Sequence, residues 1–471
     1  MPQVEASRTS GGFPAPRVAW TAVAVLCIVT TCAFVDRQLV SLLIEPMGRT
    51  LGLGDTQLSL IQSLAFVLFY TLMGVPLGRL VDHHNRRNLI VLGIVVWSVM
   101  TVLGGFADGF WSLFATRAGV GVGEALLAPA AYSLLADCFE PSRRGRAIAL
   151  VALSATIGSG GSFLIGGLVL GAVPGEAVIH LPLLGDRYGW QIAFIAAGAP
   201  GLLIAALMFA VREPDRQERA LHGHGSHAGG LVGPYVRRYG RLLLGAFIVS
   251  GLTIMIGYGT AAWMATYFIR RFELAPSTVG YALGALSILA ALTGGWVGGT
   301  VSDRLAQRRT GGRFDMYVIC AVVALPLLAT WSFAPTPVLG FVLLFGVIAA
   351  LNLASCTTPT ILQEIAPNEL RGQVLGSYAV VQGILGPGLG PISIALVTDF
   401  VLRDPAAIGL SLPLVTVPLA VATLVLALAL RRAYAAARAE VLEVSKATEA
   451  QSPRTHDAKV TLRSEVVRQS S

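Results

Sequence analysis

The chain has 471 residues, of which 54% are hydrophobic and only 13% charged, and its mean hydropathy is +0.70. A soluble protein carries roughly 25% charged residues, so a water-soluble surface cannot be built here and lipid must be the solvent for most of the chain. The net charge of +8 comes almost wholly from arginine, with lysine only at Lys446 and Lys459. That excludes a Walker A loop, whose glycines are followed by lysine, and with it ATP-driven transport by this chain alone.

Residues 1–17 are polar and contain Pro14 and Pro16. The apolar run that follows is too long for a signal-peptide core and carries charges, so it is read as a first membrane helix rather than a cleaved leader. At about 20 apolar residues per crossing, the expected spans are 18–45, 57–80, 88–107, 111–138, 145–171, 190–211, 241–269, 276–302, 315–334, 337–362, 372–400 and 407–430. The fold class expected is therefore an all-α membrane protein of about twelve transmembrane helices. Residues 18–211 form a first six-helix bundle and 241–431 a second. The stretch 212–240 joins them. It holds His222, His224 and His227 among glycines, and reads as a flexible linker rather than a metal site. Residues 432–471 form a tail that starts alanine-rich, a composition able to extend the last helix, and then reads as disordered.

The connections after the even-numbered spans carry seventeen arginines. The others carry five: Arg49, Arg187, Arg270, Arg271 and Arg403. The positive-inside rule makes the arginine-rich side cytoplasmic and places both termini there. Cys27, Cys32, Cys138, Cys320 and Cys356 form no C-x-x-C pair and read as small buried apolar residues.

The two halves repeat each other. Gly78-x-x-x-Asp82 is followed by Arg86-Arg87, and Gly299-x-x-x-Asp303 by Arg304 and Arg308-Arg309, 221 residues later. Pro141 to Arg144-Gly145 matches Pro367 to Arg371-Gly372, and Gly158-Ser-Gly160-Gly161 matches Gly386-Pro-Gly388-Leu-Gly390, at offsets of 226 to 228. Three features in one order at a nearly constant offset indicate a duplicated six-helix unit.

These motifs resemble those of the major facilitator superfamily over roughly residues 18 to 431. The resemblance implies two bundles related by an axis along the membrane normal, with a substrate site between them near the midplane. It implies gating roles for Gly78, Asp82, Arg86, Arg144, Asp303, Arg304 and Arg371. The Asp82 carboxylate would cap the N-terminus of span eleven when the cytoplasmic side is closed, biasing an equilibrium between states. His83 stands where the motif has a basic residue and Asn85 where it has glycine, which predicts a looser lock in the first half.

Ionisable residues inside a span cost at least about 2.5–3.5 kcal/mol each at a helix centre and mark function by default. Asp36 and Arg37 lie in span one, Arg117 and Glu124 in span four. Glu124 is thirteen residues past Trp111, roughly 20 Å into the bilayer at 1.5 Å per residue, and Arg117 lies two turns earlier on the same face. A carboxylate without a fixed partner in low dielectric favours its protonated form, and beside arginine it stays ionised. Asp36 and Glu124 are the expected proton-coupling groups. Arg37 and Arg117 are their partners and the receivers of an anionic substrate group. A static ion-pair network bracing the first half is the alternative.

The run Arg117-Ala-Gly119-Val-Gly121-Val-Gly123-Glu124, with Asp36-Arg37-Gln38, resembles Spinster-type facilitators. That branch is linked to lysophospholipid and sphingolipid transport, and the resemblance implies an amphipathic or anionic substrate moved with protons. A proton symporter for a small organic anion is the alternative, and a non-transporting sensor with the same fold is another. Further polar candidates are Gln62 and Tyr70 in span two, Thr253, Tyr258, Trp263 and Tyr267 in span seven, Asn352, Ser355, Thr357 and Thr358 in span ten, and Gln382 in span eleven. Interhelical hydrogen bonding is the competing role for each. An intramembrane serine hydrolase built on Ser159 and Ser162 finds no histidine placed as base, and no H-E-x-x-H motif occurs. No enzyme activity, cofactor, metal or nucleic-acid partner is expected. The arginine bias implies a bacterium, and hence the cytoplasmic (inner) membrane; the expected working unit is a monomer.

Overall fold

The computed structural model describes residues 13–182, 185–216, 228–355, 357–367 and 370–451. His222, His224, His227 and Cys356 lie outside the described residues, as do the first twelve residues and the tail beyond Gln451.

Among the described residues, twelve helices are long and apolar enough to cross a membrane. In the first half they are α1 (Pro16–Leu51), α2 (Asp55–His83), α3 (Arg86–Gly104), α4 (Phe110–Cys138), α5 (Pro141–Ala172) and α6 (Gly189–Ala210). In the second they are α7 (Ala228–Phe272), α8 (Pro276–Arg308), α9 (Gly312–Phe333), α10 (Pro337–Ile365), α11 (Arg371–Leu402) and α12 (Ile408–Gln451). In hydrocarbon every backbone polar group must be satisfied within its own segment, which is why the apolar runs are helical. Leu203, Val342 and Val425 are 77%, 61% and 58% exposed, an outward apolar surface suited to lipid. Helix α7 begins at Ala228, inside the stretch read from sequence as linker, and α12 continues well past the apolar run. A hairpin of β1 (Val178–Leu181) and β2 (Gly185–Tyr188) fills the connection between α5 and α6, with Val178 paired to Tyr188; its short strands lack an apolar alternation that sequence reading could use.

Several helices depart from regular geometry. In α4 the helix breaks at Ala125 and Leu126. Pro129 cannot donate to the carbonyl four residues back, so the break falls directly after Glu124. Helices α2 and α11 carry π-helical turns at Leu60–Leu64 and Ile384–Leu389, a distortion that often marks functional sites. Pro387 lies in the second.

The halves meet through α1 with α7, α2 with α11, and α5 with α8. Their apolar cores are distributed unequally. One cluster runs across both halves near the face opposite the termini, from Leu42 and Met47 of α1 to Trp263 and Phe268 of α7. Near the face that carries the termini there are two separate clusters. One holds only first-half residues such as Leu26, Ile90 and Leu134, and the other only second-half residues such as Leu243, Phe314 and Tyr434. The halves are thus fused at one face and parted at the other.

Small residues allow the close approaches. A Cβ on Gly121 of α4 would lie 2.4 Å from the Phe66 carbonyl oxygen of α2, and one on Gly123 would lie 2.7 Å from the Trp97 nitrogen of α3. Such backbone proximity is how membrane helices associate when lipid is as apolar as their side chains. Gly121→Val should destabilise the first half by about 1–3 kcal/mol, the usual cost of overpacking, because the obstacle is backbone. Thermal unfolding of the detergent-purified protein checks this, with Gly145→Ala as control, since a Cβ there meets nothing within 4 Å.

Candidate transport site

The four intramembrane charges converge. Asp36 and Arg37 sit midway along α1, Arg117 and Glu124 on α4 before its break. Arg37 donates to Glu124 Oε2 in an ion pair. The Glu124 side chain is 1% exposed and the Arg37 side chain 20%, so the pair lies at a wall with arginine on the open side. Phe34, Phe66 and Tyr70 surround that guanidinium, with ring centroids 4.7, 4.4 and 5.5 Å from its central carbon. Faces of aromatic rings attract a desolvated cation and hold this one in place. Asp36 is buried and accepts from the Thr101 hydroxyl of α3 at 3.1 Å. Arg117 is 1% exposed and lies within electrostatic range of Asp36 and Glu124. None of its three guanidinium nitrogens has a hydrogen-bond partner among the described residues. Arg117 therefore neutralises the cluster at a distance, whereas Arg37 makes the direct bond.

A cavity of about 400 Å³ lies between the halves, within the range of about 300–1,000 Å³ typical of small-molecule sites. Arg37, Gln38 and Ser159 line it from the first half, and Tyr258, Asn352 and Ser355 from the second. Gln38 donates to the Ser159 hydroxyl at 3.2 Å, which ties α1 to α5 at the cavity edge. Thr253 also lines the cavity. Several candidates from the sequence do not. Trp263 is fully buried and donates to the Pro391 carbonyl at 2.9 Å, and Tyr267 donates to the Ser332 carbonyl at 2.8 Å; each joins helices within the second half. Thr358 is likewise internal, bonded to Tyr317 and to Ser250, and Thr357 turns back to the Ala354 carbonyl. Gln62 of α2 and Gln382 of α11 each keep buried amide atoms without partners among the described residues, on the two helices that carry π turns.

Away from the termini, Arg270 of α7 spans the halves. It donates to both carboxylate oxygens of Asp55 at 2.7 and 2.8 Å, and to Glu45 at 2.7 Å. Arg49 donates to the other Glu45 oxygen at 3.0 Å, and the Thr56 amide donates to Asp399 of α11 at 2.7 Å. Arg270 appeared in the sequence only as one of five arginines on the sparse side. Nothing local marks a cation whose partners lie 215 and 225 residues away.

At the termini-bearing face the ion pairs among the described residues stay within each half. Buried Arg86 pairs with Asp137 and with Glu213. Arg313 pairs with Asp303 and Glu364 at 3.0 and 2.7 Å. Arg313 and Glu364 stand 227 residues after Arg86 and Asp137, so extending the repeat offset past the glycine motif would have found both. Arg144 donates to the Ala136 carbonyl, and Arg371 to those of Gln363 and Ala366. Arg304 is exposed. The expected contact of Asp82 with α11 is not formed: the residue is exposed, makes no ion pair among the described residues, and engages only its own carbonyl, which accepts from Arg216. The physical reason is the parted cores at this face, which hold α2 away from the start of α11. Gly78 accordingly has nothing within 4 Å of its Cβ position.

Two six-helix halves enclosing a central charged cavity define a secondary-transporter architecture. The chain belongs to the Major Facilitator Superfamily, whose family model matches residues 26–391, and so is a multi-pass membrane transporter rather than an enzyme. It is 28% identical to an MFS-type efflux pump of Mycolicibacterium smegmatis, over 83% of this chain and 87% of that one. It is 25% identical to Protein spinster of Drosophila melanogaster, over 84% of this chain and 65% of the relative. A bacterial homolog of the human lysosomal transporter Spinster, solved inward-facing and unoccupied, superposes with a TM-score of 0.73 at 23% identity, covering 91% of this chain and 99% of the other. Within the superfamily the chain resembles the Spinster-like branch.

The Arg270 cluster yields a direct test. Replacing one partner of a buried pair costs about 3–5 kcal/mol, here charged to the closed state of that face. In a background without native cysteines, the cavity-lining substitution Ala261→Cys should react with a maleimide added from the closed face at least tenfold faster when Arg270→Gln is also present.

Proposed function

We propose that the chain is a proton-coupled secondary transporter that moves an amphipathic or anionic small molecule, of lysophospholipid or sphingolipid type, by alternating access. The observation that carries this reading is the Arg37–Glu124 pair at the cavity wall. An anionic substrate group entering the cavity meets the exposed side of Arg37 and competes with Glu124 for it. Glu124, released where its side chain is 1% exposed, favours its protonated form. Substrate and proton binding are then linked through one cation, and the linkage is reciprocal. Asp36, held by Thr101 and near Arg117, is the second proton-accepting group. Tyr258, Asn352 and Ser355 supply hydrogen bonds from the facing wall, and its apolar residues seat a hydrocarbon portion.

The face joined by Arg270 is the outer one, and the parted face is cytoplasmic and carries both termini. The arginine bias of the connections supports this placement, and so does the fold's likeness to a neighbour described as inward-facing. Gly78, Asp82, Arg86, Arg144, Asp303, Arg304 and Arg371 would gate the cytoplasmic side, Asp82 reaching α11 only when that side shuts. The membrane is a bacterial inner membrane and the working unit a monomer.

A small organic anion is the second reading. It is supported by 28% identity to a probable galactarate/D-glucarate transporter of Bacillus subtilis, over 62% of this chain and 66% of that one. The modest cavity volume also favours it.

The test uses liposomes carrying an internal pH dye and either the parent or Glu124→Gln. Each is challenged with lysophospholipids and with sugar diacids. A substrate-driven proton flux in the parent that falls at least tenfold in Glu124→Gln is the expected outcome, and the panel member that drives it names the class. Substrate movement without proton flux, unchanged in Glu124→Gln, would sink the coupling.

A further inference from the structure

A second, larger cavity lies far from the transport site, at the termini-bearing edge of the second half. Its volume is about 870 Å³. Arg308, Arg309 and Thr310 line it from the end of α8 and the turn into α9, Asp315 from α9, and Arg431 and Arg432 from α12. Four arginines therefore face one carboxylate. Asp315 is engaged by Arg431, which donates to it at 3.1 Å. Arg308, Arg309 and Arg432 have no carboxylate partner among the described residues.

The turn is built rather than loose. Arg438 of α12 donates to the carbonyls of Thr310 at 3.2 Å and Ala306 at 3.4 Å. The Gly312 amide donates to the Arg309 carbonyl at 3.0 Å. A Cβ on Gly312 would lie 2.0 Å from the Leu305 carbonyl oxygen, so only glycine lets α9 start this close to α8. The arginines are thereby held around one space.

The cavity continues into a lipid-facing surface. Leu428 lines it and is 49% exposed. Val425 and Val421 follow on the same face of α12, 58% and 43% exposed. A cationic pocket thus sits directly beside an exposed apolar stripe, matching a molecule with an anionic head and a hydrocarbon tail.

We propose that this cavity binds the phosphate of an anionic phospholipid, with Arg308, Arg309 and Arg432 as its donors and the α12 stripe as the seat of an acyl chain. The guanidinium fork matches phosphate geometry, and basic pockets between membrane helices at the headgroup level hold such lipids. General charge anchoring of a basic loop would give no fixed stoichiometry and would not depend on these three residues.

The experiment is native mass spectrometry of the delipidated full-length protein, titrated with phosphatidylglycerol or with phosphatidylcholine of the same chains. The expected result is one phosphatidylglycerol per chain, bound at least tenfold tighter than phosphatidylcholine. That preference should be lost in R308Q/R309Q/R432Q and kept in R143Q/R146Q, which removes two exposed arginines from the other half at the same face. The single variant R309Q, read in the same way, should weaken binding at least threefold if the triple variant does not fold. Equal binding of the two lipids, or equal loss in the control, overturns the proposal. Displacement by inorganic phosphate at equimolar concentration also overturns it, by making the site one for free anion.

Discussion

The bond between Arg37 and Glu124 fixes where α1 and α4 stand relative to the cavity. Neither charge is tolerable alone at this depth. A lone carboxylate or guanidinium in low dielectric pays several kcal/mol of desolvation, and the arrangement around the pair follows from avoiding that. Alternate glycines bring α4 within backbone distance of α2 and α3. The break after Glu124 frees the end of a helical segment beside the carboxylate. Three aromatic rings pack around the arginine and hold it in place at the cavity wall. Arg117 adds positive charge without a hydrogen bond, so the cluster is neutral overall yet leaves one guanidinium uncommitted.

The same constraint works differently at the two faces. Away from the termini, one arginine gathers carboxylates from the opposing half, and a shared apolar core closes behind it. Near the termini, Arg86 and Arg313 gather their carboxylates from their own halves, and the cores stay apart. Ion pairs that cross the halves join them at one face, whereas ion pairs inside a half brace each bundle by itself. The duplication makes this visible, because Arg86 with Asp137 and Arg313 with Glu364 occupy equivalent places and both stay internal.

The second half is the less charged one at mid-membrane and the more heavily braced at its edge. Glu364 is shared by Arg313, Arg438 and Tyr434, and Glu440 by Arg238 and Tyr239. The extension of α12 past the apolar run is therefore bound to the ends of α7, α9 and α10. It carries Arg431 and Arg432 of the edge cavity and holds the turn that completes it.

The membrane class, the number of spans, the duplication and the identity of the four intramembrane charges were all legible in the sequence, for a physical reason. Lipid imposes long apolar runs and penalises each interior charge, so both stand out along the chain. The aromatic residues of α7 show the limit of that signal. Tyr258 reaches the cavity while Trp263 and Tyr267 bond to carbonyls inside the half, and nothing in local sequence separates them. Which arginine would pair with Glu124, that Arg270 would bridge the halves, and that Asp82 would stand away from α11 were decided only by tertiary structure. Those facts depend on which helix faces lie together across separations of tens to hundreds of residues, and on how the halves pack against each other.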